Sequence, residues 1–371
     1  MKILTVIGTR PEIIKLSSVI SELDKYSNHI IAHTGQNFDY ELNEVFFKDL
    51  SVRKPDFFLN CTNKNPSTFI GNVISKTDKL IKKIKPDAFL IYGDTNSCLS
   101  VIAAKKNKIP IFHMEAGNRC FDQRVPEEVN RKIVDHLSDI NLTVSSHARD
   151  YLINEGLEPD RVIKIGSPML EVIKKNSSKI NSSKILSKYN LRKNNYFLVS
   201  IHREENVDNS RNFKALMETI NAIFDKYKIP ILISTHPRTR IKLQKGNYKF
   251  NKSVIFAKPF GFHDYNKLQI NAKCVISDSG TITEESSIFD IPAVMIRQAH
   301  ERPEGMEEGI LIMSGIDKIN TCKSIEIVVS QKIKKRTIKI VNDYDVENVS
   351  KKVIRIIFSY TDFVNRNIWK R

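Results

Sequence analysis

The sequence predicts an α/β chain made of two parallel-sheet domains with helices on both faces of each sheet. Three observations carry this. The chain has 371 residues, beyond the ~250–300 at which single cores stop growing. Apolar runs of strand length alternate with helix-patterned segments, the signature of buried parallel strands. The pattern then begins again after a polar, Lys/Ser/Asn-rich stretch over 174–193. The expected boundaries are 1–170 for the first domain and 171–344 for the second. A C-terminal helix within about 345–371 is expected to pack back onto the first domain.

The elements follow in order. KILTVIG (2–8) is a buried-strand run. Pro11 then sits where helices accept proline, ahead of apolar Ile13, Ile14, Leu16, Val19, Ile20 and Leu23. HIIAHTG (29–35) is a second strand, followed by a helical DYELNEVFFKDL (39–50) and a longer helix over 67–84. DAFLIYGD (87–94) is a strand, 96–107 a helix, IPIFHMEAG (109–117) a strand and 130–139 a helix. INLTVSS (140–146), a helix over 148–155 and RVIKIGS (161–167) complete the first half. The second half offers YFLVSIH (196–202), a helix over 211–227, PILISTH (230–236) and SVIFAKP (253–259). A helix over 263–272, CVISDSG (274–280), a helix over 281–289 and PAVMI (292–296) follow. The final helix, about 345–363, carries Val346, Val349, Val353, Ile356, Ile357 and Tyr360 at helical spacing.

Composition narrows the function classes. At 41% hydrophobic and 27% charged the chain has a globular balance, and no apolar run nears the ~20 residues of a membrane helix. Met1 leads straight into a strand-like run without the charged and apolar regions of a signal peptide. Five cysteines form no CxxC pair and no Cys/His ligand spacing. A reducing, cytoplasmic location without structural zinc is expected. The net charge of +17 is uneven: residues 1–168 carry +2 and the remainder +15. Lys-rich stretches at 174–193, 242–252 and 332–339 account for much of that excess. A solvated lysine surface, with an anionic ligand in the second half, explains it better than nucleic acid, because no aromatic-interleaved basic motif occurs.

In open parallel sheets, ligands bind beyond the carboxyl ends of the strands. In the first half those positions hold Gly8 to Glu12, Gly35 to Asn37, Gly93-Asp94-Thr95 and Met114 to Gly117. In the second half they hold His202 to Glu205, His236-Pro237-Arg238, Lys258 to Gly261 and Ser277 to Gly280. Two such rims facing each other would form a cleft. Ser279-Gly280-Thr281 opens a helix whose positive end suits a phosphate, although a plain N-cap gives the same pattern. Glu285, a turn and a half on, has the reach of ribose hydroxyls. His202-Arg203 and Arg302 fit either an anion site or ordinary exposed turns and ion pairs. Asp94, Glu115 and Glu127 gather at one rim with Arg10 and Lys15 on the first helix. Crowded like charges raise one carboxyl pKa while a lysine lowers a neighbour's, which is how acid and base roles separate. No GxGxxG follows the first strand, and P-loop, HExxH and GxSxG patterns are absent.

Six segments taken together resemble the non-hydrolysing UDP-N-acetylglucosamine 2-epimerase family. They are GTRPEIIKLSSVI (8–20), YGDTNS (92–97), HMEAG with PEEVNRK (113–117, 126–132), SIHREENVD (200–208), SDSGTITEE (277–285) and HERPEG (300–305). The resemblance runs from Lys2 to about Gly315. It implies a glycosyltransferase-B-like fold, two Rossmann-like domains around a cleft, and chemistry on UDP-sugars without a cofactor or metal. By that resemblance Arg10 and Lys15 match functional positions of GTRPE-x-x-K. Asp94, Glu115 and Glu127 match the essential carboxylates, and His202 and Arg203 the pair near the diphosphate. Ser279, Gly280 and Glu285 match the UDP-binding turn and helix, and Arg302 the ERPE arginine. The implied catalytic set is Asp94, Glu115, Glu127, Lys15 and His202. Arg10, Arg203, Ser279, Gly280, Glu285 and Arg302 would bind UDP and its diphosphate.

The departures point to one branch. GDTNSCL stands where members acting on the D-gluco substrate usually have a GDTTT-like run, and EAGNRCFDQRVPEE (115–128) replaces their loop. Asn118 and Phe121 in that loop, and Arg131 just beyond it, are expected to meet the sugar. GQNFDYELN (35–43) keeps Gln36 but has Asp39 in place of a second glutamine that helps allosteric members hold an activating UDP-sugar. Hyperbolic kinetics are therefore expected. These variants resemble the UDP-N-acetyl-L-fucosamine synthase branch, which acts at C2 of a UDP-linked 2-acetamido-2,6-dideoxy-L-talose in capsule and O-antigen pathways. The alternative is the ordinary UDP-N-acetylglucosamine 2-epimerase. A hydrolysing epimerase, a glycosyltransferase and a basic nucleic-acid-binding protein are more remote. A cytoplasmic homodimer with a UDP-sugar substrate, and with neither nucleic acid nor membrane as partner, is expected.

Overall fold

The computed structural model describes residues 1–36, 44–63, 65–201, 203–235, 237–246, 248–333, 335–336 and 338–371. His202, Asp39 and His236 lie outside the described residues. The chain forms two compact units, Met1–Lys175 with Asn342–Arg371, and Asn176–Val341.

The first unit is built on β1 (Lys2–Ile7), β2 (Asn28–His33), β3 (Phe57–Phe58), β4 (Ala88–Tyr92), β5 (Ile111–Ala116), β6 (Ile140–Thr143) and β7 (Val162–Lys164). They form one sheet in the order β3-β2-β1-β4-β5-β6-β7, with every pairing parallel. β4 is buried throughout, as a strand covered on both faces requires. The helix Arg10–Tyr26 follows β1 and buries Ile13, Leu16, Val19, Ile20 and Leu23 along one face. The last helix, Val349–Asn367, packs along that first helix and buries Val353, Ile357 and Val364. Glu171 anchors its start, accepting from the amide of Ser350 at 2.9 Å.

The second unit contains β8 (Phe197–Ile201), β9 (Ile231–Thr235), β10 (Val254–Ala257), β11 (Cys274–Ser277), β12 (Ala293–Met295) and β13 (Ile312–Met313). Their order is β10-β9-β8-β11-β12-β13, again all parallel. In each sheet the order reverses beside the first strand, between β1 and β4 or between β8 and β11. Connections there leave to opposite faces, which opens a crevice beyond the strand ends.

Several expectations change in detail. The segment expected to be helical over 96–107 opens with a 3₁₀ turn, Asn96–Ser100, before an α-helix over Val101–Lys106. The helix expected at 130–139 begins earlier, with Pro126 in its first turn. The polar 174–193 stretch contains the helices Ser177–Ser182 and Ile185–Lys188, because Ile180 and Ile185 are buried. The last helix begins at Val349, later than expected, and runs on to Asn367.

Candidate functional site

At the rim of the first unit, the turn after β1 is tied to the turn after β4. A Cβ on Gly8 would come within 2.1 Å of Ser97 Oγ and 2.3 Å of Thr34 Oγ1, so only glycine fits. Ser97 donates from its amide and hydroxyl to Gln36 Oε1 at 3.2 and 2.8 Å. Glu12 closes the N-terminus of the first helix, accepting from the amides of Gly8 and Thr9, the latter at 2.9 Å. Its other oxygen accepts from Thr95 Oγ1 at 2.5 Å, which joins this helix to the loop carrying Asp94. Burial raises the Glu12 pKa to about 7 against the pull of those hydrogen bonds, and nearby Asp94 adds to the rise. Lys15, one turn on, is also buried. Arg10 lies over the Phe46 ring at 5.6 Å.

Asp94 follows β4 and is held by the helix Pro126–Leu137. Arg131 Nε donates to Asp94 Oδ2 at 2.8 Å, and Asn130 Nδ2 donates to the Asp94 carbonyl at 2.9 Å. Arg131 Nη1 also donates to Glu128 Oε2 at 2.8 Å. Glu128 in turn accepts from the amides of Cys120 and Phe121, each at 3.2 Å. The loop expected to meet the sugar is thereby pinned to the same guanidinium that holds Asp94. Glu127 is in the first turn of this helix, beside Glu128. Asn118 is buried, and its carbonyl accepts from Arg119 at 2.8 Å. Phe121 has φ 54° and remains 69% exposed, its ring edge-on to Tyr151 at 5.2 Å. A ring that open to solvent is no core anchor.

Glu115 leaves the regular ladder. The β5–β6 register shifts between Met114 and Ala116, and Glu115 has φ 63°. Such a bulge re-aims a side chain at the cost of local strain. Tyr92, the last residue of β4, donates its hydroxyl to Glu115 Oε2. On the same strand as Glu115, His113 has its Nε2 2.8 Å from the Gly93 carbonyl and its Nδ1 2.9 Å from Asp135. Asp135 is fully buried and accepts from Arg119 Nη1 at 2.7 Å and from the Gly117 amide at 3.2 Å. Burial pushes its pKa up, but His113 and Arg119 outweigh that and hold it below the usual carboxylate range.

The second unit gathers arginines around the turn after β11. The helix Thr281–Phe289 opens there, preceded by Ser279 and Gly280. Ser279 Oγ is 3.0 Å from Thr281 Oγ1. A Cβ on Gly280 would come 2.2 Å from Glu301 Oε1. Arg302 donates from Nε to the Gly280 carbonyl at 3.2 Å, and its Nη1 is 2.8 Å from Glu284. It is therefore a buried residue of the turn rather than half of a surface pair. Arg297 donates to Glu301 at 2.9 Å, and Arg203 Nη2 approaches the same carboxylate at 3.5 Å. Asp278 fixes the turn after β8, accepting from the Arg203 amide at 3.0 Å. Three guanidinium groups and a helix N-terminus in one place suit a polyanion. Glu285 is buried and accepts from Gln269 Nε2 at 2.6 Å.

Thus Asp94, Arg131 and the 118–121 loop form one connected group. Arg203, Gly280 and Arg302 form another, with Ser279 beside Gly280. Sequence reasoning missed Tyr92, Glu128, His113, Asp135, Arg119, Arg297, Glu284 and Glu301. Glu12, a rim position already named, also carries a local signal, the Thr-x-x-Glu capping box.

Comparison with known proteins bears on this arrangement. Residues 21–358 match the family described as UDP-N-acetylglucosamine 2-epimerase. The structure of UDP-N-acetylglucosamine 2-epimerase from Rickettsia bellii is 50% identical, with a TM-score of 0.94 and 100% of both chains covered. The Methanocaldococcus jannaschii UDP-GlcNAc 2-epimerase, solved with UDP-GlcNAc and UDP, is 32% identical at a TM-score of 0.90. That match covers 97% of this chain and 100% of the other. A Pseudomonas aeruginosa UDP-2,3-diacetamido-2,3-dideoxy-D-glucuronate 2-epimerase is 34% identical over 321 residues, 85% of this chain and 88% of its own length.

Proposed function

The chain belongs to the UDP-N-acetylglucosamine 2-epimerase family and is a UDP-sugar 2-epimerase, an isomerase; from that premise we propose that it inverts C2 of a UDP-linked 2-acetamido sugar by expelling and re-adding UDP. The hydrogen on C2, beside an acetamido group, is not acidic, so direct deprotonation is slow. Removing it while the C1–O bond breaks sends the C–H pair into a C1=C2 double bond and the C–O pair onto UDP. A proton then returns to C2 from the opposite face, and a UDP oxygen re-forms the bond to C1. This needs proton-handling groups for two faces and positive charge for the departing diphosphate.

The observation that carries the reading is the unlike setting of two carboxylates at neighbouring strands, Asp94 just after β4 and Glu115 on β5. Asp94 is held by a guanidinium, and Glu115 stands on a strained bulge against a phenol. Unlike environments let two carboxylates take different roles. In this proposal Asp94, Glu115, Glu127 and Lys15 handle protons, with His202 and Arg10 serving the leaving group. Arg203, Ser279, Gly280, Glu285 and Arg302 bind UDP. The expected homodimer belongs to the same proposal and is measured by sedimentation.

For the sugar we favour UDP-2-acetamido-2,6-dideoxy-L-talose, giving UDP-N-acetyl-L-fucosamine for capsule or O-antigen synthesis. The support is Phe121, an exposed ring on a loop clamped by Glu128, suited to the methyl that replaces a hydroxymethyl. The second reading is UDP-N-acetylglucosamine, favoured by the name of the Rickettsia bellii protein. Purified protein given each substrate separately in deuterated water, followed by proton NMR, tests both levels. Product should carry deuterium at C2, with traces of UDP and glycal released. Efficient turnover with the original C2 hydrogen retained would overturn the elimination route. Preference for the D-gluco compound would select the second reading.

A further inference from the structure

We propose that Tyr92 is a positioning residue for Glu115, fixing which carboxylate oxygen meets the substrate; this rests on the role given to Glu115 above. Tyr92 ends β4 and is 2% exposed. Its hydroxyl donates to Glu115 Oε2 across the β4–β5 pairing. The other oxygen, Oε1, stands over Gly93, 4.0 Å from where a Cβ on that glycine would lie. One oxygen is therefore occupied by a buried phenol. The other lies over the main chain that leads to Asp94.

The backbone explains why such a tether matters. Glu115 has φ 63° at the break in the β5–β6 register, and strain of that kind persists only when surroundings over-determine it. The main chain supplies part of that constraint: the Gly93 amide donates to the Met114 carbonyl at 2.9 Å, and His113 lies against the Gly93 carbonyl. Those contacts act on the backbone, and the Tyr92 hydroxyl acts on the side chain, at Oε2. That bond is charge-assisted when the carboxylate is ionised, and it holds Oε2 against β4. The bland account is a buried tyrosine that satisfies its own hydroxyl on a convenient acceptor. The two accounts differ in what removal of the hydroxyl does to turnover.

The test is a cycle of Tyr92→Phe, Glu115→Gln and the double variant, each as the full chain. The readouts are kcat and KM for the UDP-sugar that wild type epimerises, UDP binding by calorimetry, and Tm. Hydrogen bonds to charged groups predict that Tyr92→Phe lowers kcat about 10- to 100-fold. KM and UDP affinity should stay within about twofold, and the double variant should lose no more than Glu115→Gln alone. Wild-type kcat in Tyr92→Phe beside a crippled Glu115→Gln would overturn the tether and leave the role of Glu115 standing. Losses that multiply in the double variant would also overturn it, as would a fall in kcat matched by equal losses of UDP binding and Tm. Wild-type turnover in Glu115→Gln would instead overturn the proposed role of Glu115 itself.

Discussion

Arg131 joins Asp94 to Glu128: its Nε lies 2.8 Å from one carboxylate and its Nη1 2.8 Å from the other. Arg131 and Glu128 are almost wholly buried. Removing one member of a buried pair leaves an uncompensated charge, which costs about 3–5 kcal/mol. Arg131→Ala should therefore lower stability by that amount in urea unfolding. Turnover should fall as well, because Asp94 and the 118–121 loop lose their common anchor.

Exchange of the rim carboxylates should separate chemistry from binding. Asp94→Asn, Glu115→Gln and Glu127→Gln should each lower kcat roughly 10²–10⁴-fold while calorimetry shows UDP affinity nearly unchanged. Ser279→Ala and Gly280→Ala should do the reverse. In the glycine variant the new Cβ would press on Glu301, 2.2 Å away, and through it on Arg297 and Arg203. Carboxylate variants that lost UDP affinity and kept turnover would show this division of labour to be wrong.

Glu12 should leave a mark on the pH dependence of stability. Its folded pKa of about 7 stands above the ordinary 4.5, so the native state binds the proton more tightly than the unfolded chain. The contribution is fully present below about pH 4.5 and is lost as pH rises through about 7. Its size is on the order of 3 kcal/mol. Urea midpoints for wild type should decline between pH 5 and pH 7 relative to Glu12→Gln. Parallel curves would mean that Glu12 titrates as an ordinary carboxyl.

Phe121 offers a test of substrate choice. Its ring is largely exposed, so Phe121→Ala should leave the melting temperature nearly unchanged. If the ring packs on the sugar methyl, kcat/KM for the 6-deoxy substrate should fall about three- to tenfold. The preference over UDP-N-acetylglucosamine should shrink with it. An unchanged ratio would remove Phe121 from the specificity argument.

The sheet strands were the most legible part of the chain, because β4 is a continuous apolar run and β11 is apolar up to Ser277, both buried throughout, which leaves no competing pattern. β3 and β13 pair over only two residues each, within the short apolar stretches FFL (57–59) and ILIM (310–313), and depend on their neighbours for pairing. The rim residues were also legible, since the positions after parallel strands are where ligands go. Their supports were not. Asp135 reaches the Gly117 amide and Glu301 reaches Arg203 only through the folded arrangement. Nothing local in the sequence marks Tyr92 as the partner of Glu115, because the contact arises from the pairing of two strands.

On the ribosome the unit begun first is finished last. By the time Lys175 has been added, all seven strands of the first sheet exist, but Val349 is still to come. At about 5–20 residues per second the nascent sheet and its first helix wait roughly 10–35 seconds for the segment that covers them. During that interval the surface destined for Val353, Ile357 and Val364 stays open to chaperones and to other unfinished copies. A premature stop codon shortly before Val349 would make that exposure permanent, even though every proposed active-site residue would already have been translated.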